Sequence, residues 1–302
     1  MSHFRKYFKF KLGLALGGGG VRSFAHIGLL QVFTENKIPV DMVVGTSMGA
    51  IIGACFALGM SPEIIKKKLL SFCAQKEIML LEKFTTDSEV DEKKLIFQKF
   101  VHVLKDLYLW NISGARKWLV NFEKITPLIE DLLGKKEFSD TKIPFACVTC
   151  DLNTGEEVIL DKGKLLDAVL ASCALPGIFP PMKIHGKLLV DGGILGAIHT
   201  WVLRDQKKVD FVLGVNVENA VYNQEFFSGI DVLFQSDFIT THKLNQEMLK
   251  LADFVIEPPV NEISWSSFSK GTYCIEKGKE ATIKALPQLR AALTSKRLNP
   301  FS

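Results

Sequence analysis

The sequence lacks an apolar run long enough to cross a bilayer. Its longest candidate, residues 48–60, would form a helix of only about 20 Å, against a hydrocarbon core of about 30 Å. A secretory signal is also missing, because the apolar run at residues 12–16 is too short for one. We therefore expect a cytoplasmic protein with neither a transmembrane helix nor a signal peptide.

The sequence also has little excess charge, with a formal net charge of +4 over 302 residues. This balance argues against a dedicated nucleic-acid binder, but it is compatible with contact at an anionic membrane surface. Residues 1–11 alternate aromatic and basic side chains. They fit either a solvated leader or a peripheral membrane contact, and we favour the leader.

Repeats, low-complexity tracts and linkers are absent from the sequence. We expect one domain over residues 12–290, followed by a tail at residues 291–302. Most of the six cysteines lie in apolar runs, as buried thiols do, which indicates a reducing compartment. Cys147 and Cys150 have the spacing of metal ligands, but in a predicted strand they face opposite sides, so a metal or redox role is disfavoured.

Apolar strands alternate with helical patterns along most of the chain, which predicts an α/β fold. The pattern places strands at residues 12–16, 143–151, 157–160, 187–190, 209–217 and 253–256. It places helices at about 23–36, 50–60, 164–173, 230–251 and 269–286, with Ser61 capping another and Pro287 ending the last. This rhythm lapses at about residues 75–134, where helical spacing of apolar residues predicts an insertion that forms either a lid or ordinary cover for the sheet.

One stretch has the pattern of a nucleophile elbow. An apolar run ends in Gly45, Ser47 follows two residues later, and a second apolar run begins after Gly49. Small residues on both sides allow a tight strand-to-helix turn that exposes the serine hydroxyl. Taken alone, the same pattern also fits an ordinary turn.

Four consecutive glycines follow the first strand, at residues 17–20. Such a loop brings backbone N–H groups close to an anion, either a nucleotide phosphate or a transient oxyanion. Gly18, Gly20 and Ser23 nearly match a dinucleotide fingerprint, but Asp41 opens the second strand, whereas the ribose-binding acid belongs at its end. We therefore favour an oxyanion, since the loop and the elbow lie side by side if the two strands that they follow are adjacent.

Asp191 comes at the end of an apolar strand and is followed by Gly192 and Gly193. In open α/β sheets, catalytic groups lie at the carboxyl ends of strands. The alternative is a simple Asp-Gly turn.

In order and spacing, these motifs resemble the patatin-like phospholipases, in particular the bacterial proteins related to the esterase domain of neuropathy target esterase. Resemblance covers nearly the whole chain and is weakest at residues 75–125. The matching stretches are Gly18-Gly19-Gly20-Val21-Arg22, Gly45-Thr46-Ser47-Met48-Gly49, residues 171–181 and Asp191-Gly192-Gly193.

The resemblance implies a three-layer α/β/α sandwich with a mostly parallel central sheet. It implies that Ser47 is the nucleophile and that Asp191 activates it, so that the two form a dyad. It also implies an oxyanion hole at Gly18, Gly19, Gly20 and Arg22. Such chemistry uses no metal and no other cofactor.

The chain departs from the family pattern at two places. Ser23 stands where relatives often have glycine, and we expect it to tighten the junction between the loop and the helix. Residues 194–199 stand where relatives often carry Asn and Pro, so the support around Asp191 differs. A triad would need a histidine, and His199 or His242 would fit by order alone, whereas we read His26 as a packing or surface residue.

Two classes of function fit the sequence. The first is a lipid acyl hydrolase (a phospholipase A, a lysophospholipase or a carboxylesterase) whose substrate is a lipid or lysophospholipid. The second is a catalytically weak relative that binds lipid or a partner. A nucleotide-binding enzyme is a distant third.

Overall fold

The structure, a computed structural model, describes residues 10–75, 78–79, 120–218 and 229–298. Most of the insertion expected at residues 75–134, and residues 1–9 of the expected leader, lie outside these ranges. In chain order the strands are β1 (Leu12–Leu16), β2 (Met42–Gly45), β3 (Phe145–Asp151), β4 (Glu157–Leu160), β5 (Met182–Ile184), β6 (Lys187–Asp191), β7 (Phe211–Val215) and β8 (Phe254–Ile256). The helices are α1 (Ala25–Glu35), α2 (Met48–Ala57), α3 (Pro62–Cys73), α4 (Phe122–Leu133), α5 (Leu165–Ser172), α6 (Gly229–Leu249) and α7 (Gly271–Leu298).

The strands form one sheet in the order β5-β6-β3-β2-β1-β7-β8, and β4 also pairs with β3. The five strands from β3 to β8 along this order are mutually parallel. Three strands, β4, β5 and β6, pair antiparallel with their neighbours. The expected mostly parallel α/β sheet is therefore confirmed, and β1 is the middle one of its five parallel strands.

Alternate residues of the central strands face two separate cores. Leu14 and Leu16 pack into the larger core beneath α1, α2, α3 and α7. Ala15 and Val44 face a smaller core that includes Val202. Since helices cover both faces, the molecule has three layers. None of the described helices combines the length and apolarity that crossing a membrane requires.

The starts of α1 and α3 are explained by residues that directly precede them in the sequence. The Ser61 hydroxyl accepts a hydrogen bond from the Ile64 N–H and caps α3, as expected. The first helical turn after the glycines is a 3₁₀ helix, Gly20–Phe24, which runs directly into α1. Short strand β5 was not expected from the sequence.

The expectation that Pro287 ends the last helix is wrong, because α7 continues to Leu298. Proline removes the hydrogen bond that the Ile283 carbonyl would accept. Ile283 is exposed, so water can satisfy that carbonyl, while Leu289 beyond the proline is fully buried. Packing of the second half of α7 on the larger core therefore outweighs the helix-breaking tendency of proline, and residues 291–298 of the expected tail are helical.

Candidate active site

Ser47 sits in a sharp turn between β2 and α2, with φ 55° and ψ −128°. Such a conformation is rare for a residue with a Cβ and requires close support from its surroundings. A Cβ on Gly49 would lie 2.3 Å from the Leu16 carbonyl oxygen, and one on Gly45 would lie 2.6 Å from the Ala50 Cα. Both glycines that flank the serine are therefore required for the turn to pack against β1 and α2.

The backbone of this elbow is held from below by α5. The Ser47 N–H donates to the Ser172 hydroxyl oxygen at 3.0 Å, and the Ser172 hydroxyl donates to the Val148 carbonyl at 2.7 Å. Ser172 is fully buried among apolar neighbours. Sequence reasoning assigned it no role, although a hydroxyl in the apolar run of residues 168–174 was an available signal.

Asp191 ends β6 and is only 2% exposed. Its carboxylate accepts a hydrogen bond from the Gly193 N–H at 2.8 Å, and hydrogen bonding with the Ser47 side chain lowers its pKa. A Cβ on Gly192 would lie 2.8 Å from the Val148 carbonyl oxygen, which explains the first glycine after the acid. The side chains of the two residues expected to act together are thus close enough to interact, although 144 positions separate them in the chain.

Burial raises the pKa of Asp191 from its ordinary value to about 7. The hydrogen bonds from Ser47 and Gly193 oppose this rise, and the nearby Glu218 carboxylate adds to it. A carboxyl group with a pKa near neutrality holds a proton far better than one in water. Asp191 is therefore equipped to accept and return a proton at physiological pH.

The glycine loop lies directly beside the elbow, since a Cβ on Gly18 would be 3.2 Å from the Ser47 Cβ. Gly19 and Gly20 have φ of 149° and 57°, and both are partly exposed. Within the described residues, neither of their N–H groups has a hydrogen-bond acceptor. These two N–H groups are available for an oxyanion.

Gly18 and Arg22 are the other two residues expected in the oxyanion hole, and the backbone N–H groups of both already have acceptors within the fold. The Gly18 N–H donates to the Ala197 carbonyl at 2.8 Å, so it is already used. The Arg22 N–H donates to the Gly19 carbonyl at 3.2 Å, and the Arg22 guanidinium binds Glu218 at 2.5 Å. Gly18 and Arg22 therefore shape the loop rather than present free donors to it.

Two side chains, one in the 3₁₀ helix and one at the start of α1, fix the base of the loop. His26 Nε2 lies 2.7 Å from the Gly17 carbonyl oxygen, and the Ser23 hydroxyl donates to the same oxygen at 3.1 Å. The Ser23 contact matches the tighter junction expected from the sequence. His26 is fully buried rather than on the surface, and burial lowers its pKa to about 4, so the ring is neutral at pH 7.

The two histidines that would fit a triad by chain order contact other residues. His199 Nδ1 lies 2.9 Å from the Thr46 hydroxyl, and His199 Nε2 lies 2.6 Å from a Glu157 carboxylate oxygen. His242 Nε2 contacts Gln246 on α6 at 3.1 Å. The Ser47 side chain instead hydrogen-bonds with Asp191.

The segment after Gly193 is supported by α6. Gly196 adopts φ 126°, and the Ala197 N–H donates to the Asn245 side-chain oxygen at 2.6 Å. Asn245 is only 1% exposed. A residue 54 positions beyond Asp191 thus holds Ala197, the residue whose carbonyl accepts the Gly18 N–H.

Among the described residues, no group of three His, Cys, Asp or Glu side chains is placed to hold a metal ion. Cys147 and Cys150 are both buried on β3, and the cysteines of the described ranges are free thiols.

The model of the patatin-like phospholipase family matches residues 14–203, which include the glycine loop, Ser47 and Asp191. The chain is 32% identical over 185 residues to an uncharacterized NTE family protein of Mycobacterium bovis, a match that covers 61% of this chain and 43% of that protein. It is 31% identical over 196 residues to a patatin-like phospholipase domain-containing protein of Caenorhabditis elegans, covering 64% of this chain and 13% of that protein.

The chain therefore spans less than half the length of these two curated relatives. Among solved structures, VipD from Legionella pneumophila is similar over 92% of this chain and 67% of that one, with 15% identity and a TM-score of 0.45.

Proposed function

The chain belongs to the patatin-like phospholipase family, and we propose that it is a serine acyl hydrolase that cleaves lipid carboxylic esters through Ser47 and Asp191. The observation that carries this proposal is that the strained Ser47 turn lies beside both the glycine loop and the buried Asp191 carboxyl group, whose pKa burial raises to about 7. A nucleophile in direct contact with a matched base is the minimum arrangement for nucleophilic catalysis.

In the first half of the reaction, Asp191 accepts the Ser47 proton as the serine oxygen attacks the ester carbonyl. The carbonyl oxygen becomes an oxyanion facing the glycine loop, where the Gly19 and Gly20 N–H groups are its donors. The Met48 N–H, at the start of α2, is a third candidate because the residue after the nucleophile commonly contributes to such a hole. Donors of this kind are worth about 3 to 4 kcal/mol each.

Collapse of the tetrahedral intermediate expels the alcohol, which takes the proton from Asp191 and leaves an acyl group on Ser47. In the second half, Asp191 accepts a proton from water as the water oxygen attacks the acyl carbonyl carbon. The bond to the Ser47 oxygen then breaks, Ser47 takes the proton back from Asp191, and the carboxylic acid is released. One carboxyl group thus serves as base and acid in turn. A pKa near 7 suits both roles, because neither protonation state is rare at neutral pH.

Lipid is the substrate class that the family implies, and the phospholipid or lysophospholipid identity is part of the proposal. The N-terminal leader with its basic and aromatic residues is compatible with peripheral contact at a membrane that carries such substrates.

The test compares wild type, Ser47→Ala and Asp191→Asn on a series of p-nitrophenyl esters and on a lysophospholipid. We expect wild type to hydrolyse these esters and both variants to fall to background while keeping the circular dichroism spectrum of wild type. Ester cleavage that survives in Ser47→Ala would contradict the assignment of the nucleophile.

A second candidate is a relative that binds lipid or a partner with little turnover, and the departure at residues 194–199 favours it. A fluorophosphonate probe separates the two. Covalent labelling of Ser47 in wild type supports the hydrolase, and intact protein that stays unlabelled at every pH from 6 to 9 supports the binding protein.

A further inference from the structure

A buried histidine lies against the residue that precedes the nucleophile. His199 and Thr46 are each only 1% exposed, and His199 Nδ1 lies 2.9 Å from the Thr46 hydroxyl oxygen. Neither residue contacts the Ser47 hydroxyl, so the proposed reaction leaves this pair without a role. Burial of a polar imidazole costs free energy unless the ring makes hydrogen bonds, so a buried histidine at this position indicates a specific structural role.

The other ring nitrogen of His199 faces a carboxylate on a different strand. His199 Nε2 lies 2.6 Å from Glu157 Oε1, a close contact without the alignment of a hydrogen bond. Glu157 is the first residue of β4, and its side chain is 16% exposed. The strand β4 pairs with β3. β3 also pairs with β2, and Thr46 directly follows β2. His199 therefore links two strands that both pair with β3, because it contacts Thr46 after β2 and Glu157 on β4.

The segment that carries the histidine also carries the acid. Asp191 at its start bonds to Ser47, and His199 at its end contacts Thr46, so one segment contacts two consecutive residues of the elbow. Between them, the Ala197 carbonyl accepts the Gly18 N–H of the glycine loop. The acid, the nucleophile and the loop therefore share one segment as their common support.

From this geometry we propose that His199 is a positioning residue that sets the elbow against the acid segment through the Thr46 hydroxyl, with Glu157 orienting its ring. The proposal rests on the hydrolase function proposed above. His199 takes no proton from substrate, because one ring nitrogen is used by Thr46, the other faces Glu157, and the ring is fully buried.

The contact between His199 and Thr46 is important because of the strained backbone of the adjacent Ser47. Its φ of 55° is a conformation that the turn must be forced to keep. Small displacements of a nucleophile cost large factors in rate, and a shift of about 1 Å can cost about 100-fold. Loss of one side-chain anchor should therefore slow acyl transfer without weakening substrate binding.

The first arm of the test compares Thr46→Val with Thr46→Ser. Valine keeps the shape of threonine but has no hydroxyl, whereas serine keeps the hydroxyl. We expect kcat to fall roughly tenfold in Thr46→Val with KM within about twofold of wild type, and to stay within about threefold in Thr46→Ser. The rate at which a fluorophosphonate labels Ser47 should fall by the same factor as kcat.

The second arm replaces the histidine itself. An asparagine amide occupies the position of Nδ1, so His199→Asn should keep more activity than His199→Ala. In the Thr46→Val background the change His199→Asn should have little further effect on kcat, because the two residues act through one contact.

Equal kcat and equal labelling rates in Thr46→Val, Thr46→Ser and wild type would overturn the positioning role and leave the hydrolase function intact. So would a rise in KM as the only change. If wild type itself neither turns over esters nor labels, both proposals fall together. Thermal melts of each variant show whether a loss of rate reflects a loss of fold, and the Val–Ser comparison decides the matter if His199→Ala does not fold.

Discussion

Ser47 holds a backbone conformation that costs of the order of 1 to 3 kcal/mol for a residue with a side chain. Its N–H bonds to Ser172 and its hydroxyl to Asp191, while the Thr46 N–H donates to the Leu16 carbonyl at 3.2 Å. These contacts come from α5, β6 and β1. The strain is maintained because several parts of the fold hold the turn independently.

The pKa of Asp191, about 7, predicts the pH dependence of the reaction. The carboxylate must be ionised to accept the Ser47 proton, so kcat/KM should rise with pH and level off above about 7. Below that point it should fall about tenfold per pH unit. Steady-state rates on a soluble ester from pH 5 to 9, corrected with Ser47→Ala, measure this profile, and a constant kcat/KM across the range would contradict it.

His26 predicts a loss of stability in mild acid. Burial lowers its pKa from 6.5 to about 4, so the unfolded chain binds a proton in a range where the folded protein does not. The resulting stability is present above pH 6.5 and is lost as pH falls toward 4, by up to about 3 kcal/mol. His26→Gln keeps an amide donor for the Gly17 carbonyl and should lack this loss.

Urea unfolding of both proteins at pH 7 and pH 4.5 gives the comparison for His26. Taking the difference between wild type and His26→Gln removes the contribution of the other titrating groups. A difference that is the same at both pH values would contradict the argument from burial.

At the scale of residues, the sequence indicated candidate groups where they belong to motifs and gave no sign of those that belong only to the fold. Ser47 and Asp191 lie in short patterns whose glycines have a local reason. Glu218, which binds Arg22 from 196 positions away, and Asn245, which holds Ala197, lie in no pattern. Their partners are set by how strands and helices meet, and single-sequence reasoning has no signal for that.

Among the elements, α1 and α7 approach more closely than side chains would permit. A Cβ on Gly28 would lie 2.1 Å from the Ile275 carbonyl oxygen, and one on Gly278 would lie 2.0 Å from the Ala25 carbonyl oxygen. The two helices are therefore in backbone contact at reciprocal glycines. Neither glycine belonged to a motif that the sequence displayed.

This contact predicts that Gly278→Ala destabilises the protein. Alanine normally stabilises a helix interior relative to glycine by about 1 kcal/mol, so the sign of the effect is diagnostic. Because the new methyl group meets backbone rather than a flexible side chain, we expect a loss of about 1 to 3 kcal/mol in the free energy of unfolding. Gln288→Ala, at an exposed position of the same helix, is the matched control and should be nearly neutral.

Urea unfolding curves give the two free energies. An increase in stability for Gly278→Ala would mean that the helices can separate without cost, which the geometry at Ala25 contradicts.

The end of α7 shows where local rules fail. Pro287 is a strong stop signal in a sequence, and the expected boundary followed it. Burial of Leu289, together with Ala292 and Leu293 packed against the core, offsets the missing hydrogen bond. Only the tertiary packing reveals this, because the residues beyond the proline show no stronger apolar pattern than a tail would.

For the molecule as a whole, the parallel strands were the predictable part. Their apolar runs and the intervening helical patterns were visible in the sequence. The antiparallel pairing of β4, β5 and β6 was not, because periodicity gives the existence of a strand but not its direction. The candidate site lies where the ends of β1, β2 and β6 converge. The half with the glycine loop and Ser47 therefore depends on parallel pairing, and the half with Asp191 depends on antiparallel pairing.

The whole sheet should depend on the last helix. A chain that ends at Lys270 lacks α7 and leaves the face of α1 that holds Ala25 and Gly28 uncovered. We expect it to lose cooperative unfolding in urea and to bind a hydrophobic dye such as ANS. A chain that ends at Leu298 keeps all of α7 and should retain the stability of the full chain, and a cooperative transition in the shorter protein would contradict the expectation.

The position of β1 has a consequence during synthesis. Its partner β2 follows within about 30 residues, but its other partner β7 lies about 200 residues later in the chain. At usual translation rates, one edge of this apolar strand waits of the order of ten seconds or more for its neighbour to leave the ribosome. During that interval the strand is a template for pairing with other chains, so the nascent protein is a natural client for chaperones that shield exposed strand edges.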